Sequence, residues 1–445
     1  MLDIKFIREH PEAIKEALQK RGVAFDVDYL ISLDEKRRGK IREVEEMRSR
    51  QNGMSDQIPR MEGDEKKQLI KESKTLKTAI GNSDFELQAL EEEFISLMYK
   101  IPNMPDPEVP PGKDDTENKV LHEGGEKSHF DFPPRDYVSL GETLDLIDTD
   151  RAAKVSGARF GYLKHEAPLL EFALVQMVFS RLFDESWLKG VIKKSGLAIS
   201  SKPFIPLVPP VMIRPEVFRA MGKLDPGQEE ERYFLPKDNL YLIGSAEHTT
   251  GAMHMDEILN EEKLPHRHIA FSTCFRREAG SYGKDTRGIL RVHQFDKLEM
   301  FSFASPENYK EEHEFFCSIQ QALMDELKLP YRVMLICAGD MVWSDAKQYD
   351  IETWLPGQNG GKGEYRETHS TSNTTDFQSR RLNIKYRSNV KGQMSKVNYV
   401  HMLNGTALAI GRMIIAILEN YQTDSGSIKV PKVLQEYLGM QEIKK

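Results

Sequence analysis

Cysteine is scarce in this chain of 445 residues: Cys274, Cys317 and Cys337 are its only three, and no two of them form a CxxC pair. Closely paired cysteines are the usual signature of zinc knuckles and disulfide frameworks, so neither is predicted. The amino terminus lacks an apolar stretch of the signal-peptide kind, and no run of about 18 apolar residues follows. These absences predict a protein of a reducing cytoplasm.

An excess of positive charge is also missing, since the formal net charge is -8. A protein that held nucleic acid by bulk charge would need the opposite sign, so any RNA binding must come from local basic patches and from shape. The apolar content is ordinary and excludes a disordered or fibrous chain. The length favours two or three domains.

The first hundred residues have helical patterns. Residues 1 to about 25 are predicted to form one short helix that ends at Gly22. Between residues 29 and 98, apolar residues recur at steps of three, four and seven, as in a coiled coil. The turn sequence PRMEGD at 59–64 favours a hairpin of two antiparallel helices, each roughly 45 Å long, over one long helix or a dimeric coiled coil. Its predicted seam consists of Leu30, Leu33, Val44, Met47, Met54 and Ile58, followed by Leu69, Leu76, Ile80, Leu87, Leu90, Phe94 and Leu97.

A proline-rich segment separates this region from the rest of the chain. Five prolines between residues 101 and 115 predict a linker, because proline cannot continue a helix. Beyond it, helical patterns at 164–190, 306–328 and 404–421 alternate with strand patterns at 268–275, 295–303, 331–338 and 397–403. We predict an N-terminal domain over residues 1–115 and an α+β domain with an antiparallel sheet over residues 116–445.

The segment from residue 268 to 303 contains a strand, a charged glycine-rich loop and a second strand. Arg276, Arg277 and Glu278 follow the first strand, and arginine suits phosphate because its planar fork binds two oxygens at once. In the second strand, Phe295 and Glu299 are an even number of residues apart, so they share a face that could hold a base and an amine. A surface hairpin with a solvated charged loop would explain the same pattern.

Two further segments carry groups suited to a nucleotide. Arg412 lies in an apolar helix, where a charge is costly unless it is paired or bound to an anion, although its guanidinium could also reach solvent at the helix edge. We predict that this helix begins at residues 404–406, with Asn404 or Thr406 as its N-cap. Glu367 and Ser370 are oxygen ligands of the kind that nucleotide-bound Mg²⁺ accepts, and alone they would also fit an exposed polar loop.

Together these segments resemble the motifs of class II aminoacyl-tRNA synthetases. Phe275 to Glu278 with Arg291 resembles motif 2, residues 405–412 resemble motif 3, and Leu207 to Pro210 resembles motif 1, which shapes a dimer interface. Within this class the chain resembles the seryl-tRNA synthetases of the non-zinc type over nearly its full length. The resemblance is carried by RVHQFDKLE, YDIETWLPGQN, DFQSRRLNIKYR, LNGTALAIGR and ILENYQ, and by the predicted arm, which in that family binds tRNA.

The resemblance implies an enzyme that joins L-serine to tRNA(Ser), with tRNA(Sec) as a further candidate substrate. The serine carboxylate would attack the α-phosphate of ATP to give seryl-adenylate and pyrophosphate, and the seryl group would then pass to the 3′ end of the tRNA. It also implies ATP and Mg²⁺ as cofactors, a homodimer, no membrane association and a cytoplasmic location. No active-site zinc is implied, because the cysteines lie outside the matching motifs.

The same resemblance implies roles for individual residues toward ATP. Arg276 would bridge the α-phosphate and the serine carboxylate, and Glu278 would bind the adenine amino group. Phe295 would stack on the adenine, Arg412 would cover its other side and reach the γ-phosphate, and Arg291 would hold the pyrophosphate end. Arg276, Arg291 and Arg412 would be catalytic. The implied ATP-binding residues are Arg276, Arg277, Glu278, Val292, His293, Gln294, Phe295, Glu367, Thr368, His369, Ser370 and Arg412, of which Glu367 and Ser370 would also hold Mg²⁺.

A serine pocket is implied as well. Glu299 would take the hydroxyl or the amine of the substrate, and Thr406 would close the pocket near the hydroxyl. Such a site rejects alanine, because its buried polar groups stay unpaired when the hydroxyl is missing. The implied pocket consists of Ser245, Ala246, Glu247, Arg276, Glu299, Asn404 and Thr406.

The chain departs from the family pattern beside this pocket. Gly244 and Ser245 stand where the family usually has proline and threonine, and His248 stands where an apolar residue is common. Ser245 keeps the hydroxyl but loses the methyl, so we expect serine recognition in a slightly roomier pocket. The glycine-rich loop Gly357–Gly363 receives no predicted role.

Two other functions fit parts of the sequence. An amino acid:carrier-protein ligase shares the class II core but lacks the long arm. A catalytically inactive paralogue would have lost at least one of five residues, all of which are present: Arg276, Glu278, Glu299, Glu367 and Arg412.

Overall fold

The computed structural model describes residues 1–224, 228–279, 285, 287–388 and 396–445. The chain forms two compact units, Met1–Pro102 and Asn103–Lys445, so the division precedes most of the proline-rich segment. Asn103 opens the second unit: its backbone N–H donates to the carbonyl of Trp343 at 2.9 Å, and its side-chain amide donates to the carbonyls of Ser344 and Thr374, each at 2.9 Å.

The first unit begins with two short helices, α1 (Ile4–Glu9) and α2 (Pro11–Lys20). The prediction of one continuous helix is wrong at His10. Pro11 has no N–H to donate to the preceding turn, and it therefore starts a new helix at the first position, where proline is favoured.

Two long helices follow, α3 (Val27–Gln57) and α4 (Gly63–Tyr99), joined by a 3₁₀ turn at Ile58–Arg60. The predicted hairpin is confirmed. Interhelical ion pairs join Arg48 to Asp84 at 2.8 Å and Lys40 to Glu86 at 2.8 Å, and this descending order shows that the helices are antiparallel. The predicted seam residues that are buried are Leu30, Leu33, Val44, Met54, Ile80 and Phe94.

A buried carboxylate ties the arm to the first helix of its unit. Asp34 on α3 is inaccessible to solvent and accepts hydrogen bonds from Arg8 at 3.1 Å, Arg37 at 3.0 Å and Arg38 at 3.0 Å. Burying a charge is costly unless it is paired and hydrogen-bonded, and here three guanidinium groups meet that condition.

The second unit mixes helices and strands. Its helices are α5 (Tyr137–Thr143), α6 (Thr149–Ser156), α7 (Glu166–Phe183), α8 (Glu185–Ser195), α9 (Pro215–Ala220), α10 (Glu247–Thr250), α11 (Tyr309–Leu327), α12 (Gln358–Gly361), α13 (Phe377–Leu382), α14 (Ile410–Asn420) and α15 (Gln435–Leu438). Its strands are β1 (Lys119–Gly124), β2 (Ile147–Asp148), β3 (Tyr162–Leu163), β4 (Ile205–Leu207), β5 (Met212–Ile213), β6 (Phe234–Leu235), β7 (Leu240–Leu242), β8 (Ile258–Asn260), β9 (His266–Phe275), β10 (Gln294–Ala304), β11 (Tyr331–Leu335), β12 (Lys347–Leu355), β13 (Glu364–Asn373), β14 (Lys385–Arg387), β15 (Val397–Tyr399), β16 (His401–Ala409), β17 (Ile428–Lys429) and β18 (Glu442–Ile443).

The main sheet confirms the predicted antiparallel α+β fold. Within the described residues its strand order is β1-β11-β12-β13-β16-β10-β9-β4, and every neighbouring pair is antiparallel except β4 with β9. Helices α7, α11 and α14 pack on one face of it. Side chains alternate along β10, so Met300 joins the core under these helices while Phe301 and Phe303 join a second core on the other face.

Two predicted helix boundaries are wrong. The helical pattern at 164–190 is divided at Asp184 between α7 and α8. The helix that carries Arg412 does not begin at residues 404–406, because β16 continues to Ala409 and α14 begins at Ile410 without a side-chain cap. Thr406 pairs with Glu299 of β10, and Gly405 pairs with Thr371 of β13. Pairing on both sides satisfies the backbone of this polar stretch and outweighs its capping propensity. Within the described ranges, every helix is too short or too polar to cross a membrane.

Candidate active site

A cavity of about 610 Å³ opens where β9 ends and β10 begins. Its walls are formed by the neighbouring strands β12, β13, β16 and β10 and by the first turn of α14. Successive side chains of β10 point to opposite faces of the sheet, so Phe295, Lys297 and Glu299 all face this cavity. Four adjacent strands of one sheet therefore hold together side chains that are far apart in the sequence.

Arg276 lies directly after β9 and is fixed from two sides. Its Nε donates to the carbonyl of Gly244 at 3.2 Å, and its guanidinium carbon lies 5.3 Å from the centre of the Phe295 ring. Among the described residues, its Nη groups donate no hydrogen bond, so these groups can bind an anion in the cavity. A guanidinium held in this way can bind phosphate or carboxylate oxygens without further ordering.

Arg291 is held by two carboxylates. Its Nε lies 3.0 Å from Asp285 Oδ2, and its Nη1 lies 3.5 Å from Glu278 Oε2. Burial raises the pKa of Asp285, but hydrogen bonding to Arg366 and the charge of Arg291 outweigh burial and lower it. The network fixes Arg291 and Glu278 on the same side of the cavity.

Arg412, in the first turn of α14, contacts Glu367 of β13. Its Nη1 donates to the Glu367 carbonyl at 2.7 Å and lies 3.3 Å from the carboxylate oxygen Oε1. Burial raises the pKa of Glu367, but the charges of Arg412 and Arg276 outweigh burial and keep it below its ordinary value. Glu367 is therefore ionised at pH 7, and it is half exposed to the cavity.

Oxygen donors gather beside Glu367. Burial and the charge of Glu367 raise the pKa of Asp350 to about 8. The side-chain amide of Gln348 donates to Asp350 Oδ1 at 2.9 Å and to Ser370 Oγ at 3.2 Å. Two crowded carboxylates next to a hydroxyl form a donor set that fits a hard divalent cation such as Mg²⁺.

The other end of the cavity contains two buried ion pairs. Lys223 Nζ lies 3.0 Å from Glu247 Oε1, and Lys297 Nζ lies 2.6 Å from Glu299 Oε2. Burial raises the pKa of Glu299, while the charge of Lys297 opposes that rise. Because water is largely excluded from this end of the cavity, these four charged groups interact strongly with a charged ligand.

Hydroxyl and amide groups complete this end. Asn404 Nδ2 donates to Glu247 Oε1 at 3.2 Å, and Thr406 Oγ1 donates to Glu299 Oε2 at 3.4 Å. Ser245 Oγ accepts the backbone N–H of Glu247 at 3.2 Å. The result is a small polar recess that can bind an ammonium group, a carboxylate and a hydroxyl.

The structure brings most of the predicted site residues together. Those that line the cavity are Ser245, Glu247, Arg276, Glu278, Arg291, Val292, Phe295, Glu299, Glu367, Thr368, Ser370, Asn404, Thr406 and Arg412.

Five predicted residues do not line the cavity: Ala246, Arg277, His293, Gln294 and His369. Ala246 and His369 are buried, and Gln294 is exposed at the start of β10. The guanidinium of Arg277 lies 5.8 Å from the ring centre of Tyr233. Contact between these five residues and a substrate stays a prediction.

Five charged residues at the cavity were not predicted: Lys223, Glu231, Arg232, Lys297 and Asp350. Lys297 could have been found, because it lies midway between Phe295 and Glu299 on the same strand face. Lys223 and Arg232 reach the cavity from a separate segment without a recognisable motif. Burial and the charge of Arg276 lower the pKa of Arg232 to about 10, which shows how closely positive groups are packed here.

Comparison with known proteins identifies close relatives. Two family models match: "Seryl-tRNA synthetase N-terminal domain" over residues 1–105 and "tRNA synthetase class II core domain (G, H, P, S and T)" over residues 233–421. A serine–tRNA ligase of Dictyoglomus turgidum is 43% identical and covers 100% of this chain and 99% of its own length. A serine–tRNA ligase of Rubrobacter xylanophilus is 41% identical with the same coverage of both chains.

Solved structures agree with these relatives. The seryl-tRNA synthetase of Pyrococcus horikoshii complexed with ATP is 37% identical, with a TM-score of 0.85, and the match covers 100% of this chain and 99% of that one. The cytoplasmic serine–tRNA ligase of Naegleria fowleri in complex with AMP is 32% identical, with a TM-score of 0.81 and the same coverage.

Proposed function

The chain belongs to the seryl-tRNA synthetase family of class II aminoacyl-tRNA synthetases, and from this we propose that it is a ligase that activates L-serine with ATP and transfers the seryl group to the 3′ end of tRNA(Ser). One observation carries the proposal to this site: a single cavity has arginines and an aromatic ring at one end and buried carboxylates with hydroxyl groups at the other. The first end suits a nucleotide, and the second suits a small polar amino acid.

ATP would bind at the arginine end. Phe295 would stack on the adenine opposite Arg412, and Glu278 would accept a hydrogen bond from the adenine amino group. Arg276 would bind the α-phosphate, where negative charge develops as the serine carboxylate attacks and pyrophosphate leaves. The hydrogen bond from Arg276 to Gly244 supports this role, because it orients the guanidinium before substrate arrives.

Serine would bind at the polar end. Glu299 and Glu247 would attract its ammonium group, and Thr406 would lie beside its hydroxyl. Holding the serine carboxylate and the α-phosphate on the same guanidinium of Arg276 would convert a reaction of two free molecules into one within a complex. The ion pairs to Lys223 and Lys297 support the proposal, since they offset the cost of placing two carboxylates in a buried site.

Glu367, Ser370 and Asp350 would hold Mg²⁺ together with ATP. A bound Mg²⁺ supplies charge neutralisation along the triphosphate. The raised pKa of Asp350 beside Glu367 supports this assignment, because a cation between them would relieve their repulsion.

The helical hairpin α3–α4 would bind tRNA, with tRNA(Ser) as the substrate and tRNA(Sec) as a further candidate. A homodimer is proposed through β4, an edge strand of the main sheet whose Ile205 and neighbouring Val208 are 45% and 76% exposed. Among the described residues, β4 has a neighbouring strand on one side only, and such an edge with exposed apolar side chains favours pairing with a second copy. We propose a cytoplasmic location for this assembly.

Serine-dependent exchange of pyrophosphate into ATP tests the activation step directly. We expect exchange with serine, and far less with threonine, alanine or glycine. Charging of tRNA(Ser) then tests the acceptor, and a carrier protein in its place tests the alternative ligase. A folded protein without serine-dependent exchange would overturn the proposed function.

A further inference from the structure

Three histidines meet at the opposite end of β9 from Arg276. His266 and His268 are two positions apart on this strand, so their side chains lie on the same face. His254 reaches them from the turn that follows α10. Nitrogen atoms of all three rings lie within 4.8 Å of one another. His268 and Arg276 are eight residues apart, about 25 Å along an extended strand, so this cluster is separate from the ATP cavity.

The cluster has nitrogen atoms that the fold does not satisfy. Among the described residues, no hydrogen-bond partner exists for His254 Nε2, His266 Nδ1 or either ring nitrogen of His268. Buried polar atoms in proteins are nearly always paired with protein groups, water or an ion. The unpaired ring nitrogens of these three histidines are therefore available to bind an ion.

A carboxylate orients one of the rings. Glu257 Oε2 lies 2.8 Å from Nδ1 of His254, which leaves Nε2 as the unpaired nitrogen of that ring. Histidines that bind metals commonly donate their second ring nitrogen to a carboxylate in this way. Simple aromatic packing against Phe303, which contacts all three rings, accounts for their burial but not for this orientation or for the unpaired nitrogens.

We propose that His254, His266 and His268 bind one divalent transition-metal ion of the Zn²⁺ type. Three imidazoles suit Zn²⁺, Ni²⁺ or Cu²⁺ and not Mg²⁺, which prefers oxygen. Tetrahedral zinc holds nitrogens at about 2.0–2.1 Å, so ring movements of about 1 Å would bring the three atoms onto one ion and leave its fourth position for water. The ion would join the turn after α10, which carries Glu247, to the first half of β9.

Metal stoichiometry tests the proposal without reference to catalysis. A chelator first removes bound metal from the untagged full-length chain, which is then incubated with Zn²⁺ in the presence of excess Mg²⁺. Gel filtration removes free metal, and mass spectrometry measures the number of Zn²⁺ ions bound per chain. We expect one Zn²⁺ per chain in the wild type. The same stoichiometry is expected in two control variants, His122→Gln at an exposed position on β1 and Glu367→Gln in the ATP cavity. We expect a loss of at least tenfold in His254→Gln, His266→Gln or His268→Gln.

Two measurements keep the proposal testable if a histidine variant fails to fold. Co²⁺ bound to the wild type should give the intense visible bands of a tetrahedral site. Glu257→Gln, at a half-exposed position, should weaken Zn²⁺ binding by about 10- to 100-fold. A wild-type chain that retains no Zn²⁺, or Zn²⁺ binding that survives all three histidine replacements, would overturn the proposal.

Discussion

The backbone N–H of Gly244 donates to Nδ1 of His248 at 3.2 Å. These are two of the positions at which we interpret the sequence as departing from the pattern it resembles, with proline expected at the first and an apolar residue at the second. Proline has no N–H, so a chain with proline at position 244 could not form this hydrogen bond. Burial lowers the pKa of His248 well below its ordinary value, and the neutral ring can accept this hydrogen bond at Nδ1.

We therefore expect Gly244→Pro and His248→Leu to be coupled. Gly244→Pro removes the donor, leaves the buried Nδ1 unpaired and adds a carbon 2.6 Å from Arg232 Nη1. It should lower the free energy of unfolding by about 1–3 kcal/mol and raise the KM for serine. In a His248→Leu background, Gly244→Pro should lower the free energy of unfolding by about 1 kcal/mol less than it does in the wild type. Denaturant unfolding of the wild type, the two single variants and the double variant measures this difference. Strictly additive costs would contradict the link.

Arg276→Ala should lower kcat/KM for serine-dependent pyrophosphate exchange by at least about 100-fold, because it removes the guanidinium proposed to act on the α-phosphate. The free energy of unfolding should change by less than about 1 kcal/mol, since Arg276 lies at a cavity wall. Arg214→Ala is the matched control: this exposed arginine precedes α9, and its loss should leave exchange unchanged. Exchange retained in Arg276→Ala would show that another group binds the α-phosphate.

Shortening the arm should separate the two half-reactions. Deletion of residues 51–78, with a short glycine linker between the remaining helices, keeps the Arg48–Asp84 pair and removes the distal hairpin. We expect pyrophosphate exchange to continue and tRNA charging to fall at least tenfold, as measured by aminoacylation with limiting tRNA. Replacing only the 3₁₀ turn Ile58–Arg60 by glycines serves as a control for the join. Equal loss of both activities would argue against a role of the arm in tRNA binding.

The buried carboxylate of Glu419 should make stability depend on pH. Burial raises its pKa to about 7, above the ordinary 4.5, although it accepts hydrogen bonds from Gln358 and from the backbone of Gly357 and Tyr137. The folded protein keeps this proton over a range where the unfolded chain has released it. The contribution of Glu419 to the free energy of unfolding should therefore fall as pH rises from about 4.5 to 7, by up to about 3 kcal/mol, and stay constant above 7.

Thermal and denaturant unfolding of wild type and Glu419→Gln across this pH range would measure that contribution. The difference between the two proteins should change most between pH 5 and 7. Glu436→Gln, at an exposed position on α15, should parallel the wild type at every pH. A difference between wild type and Glu419→Gln that does not vary with pH would mean that Glu419 is already ionised at pH 5.

The sequence allowed most of the architecture to be predicted, because periodicity reports local structure. The heptad spacing predicted the hairpin, and the sheet class followed from alternating segments. Local propensity misled at Asn404–Thr406, where pairing with two neighbouring strands overrides capping. Asp350 and Lys223 were missed because they reach the cavity through tertiary structure, and the histidines of the proposed metal site meet only after β9 and the turn at His254 pack together.

Along β10, Phe295 and Glu299 are separated by four residues on one face, so the strand sets a spacing of about 13 Å between the proposed adenine contact and the proposed serine contact. The extended backbone of β10 therefore fixes the distance between these two side chains. Replacing a side chain adjusts recognition at one end and leaves the other end in place, whereas inserting one residue would turn every following side chain to the opposite face. A substitution on this strand can therefore change substrate preference at one end of the cavity, whereas a change in the length of the strand would displace one contact relative to the other.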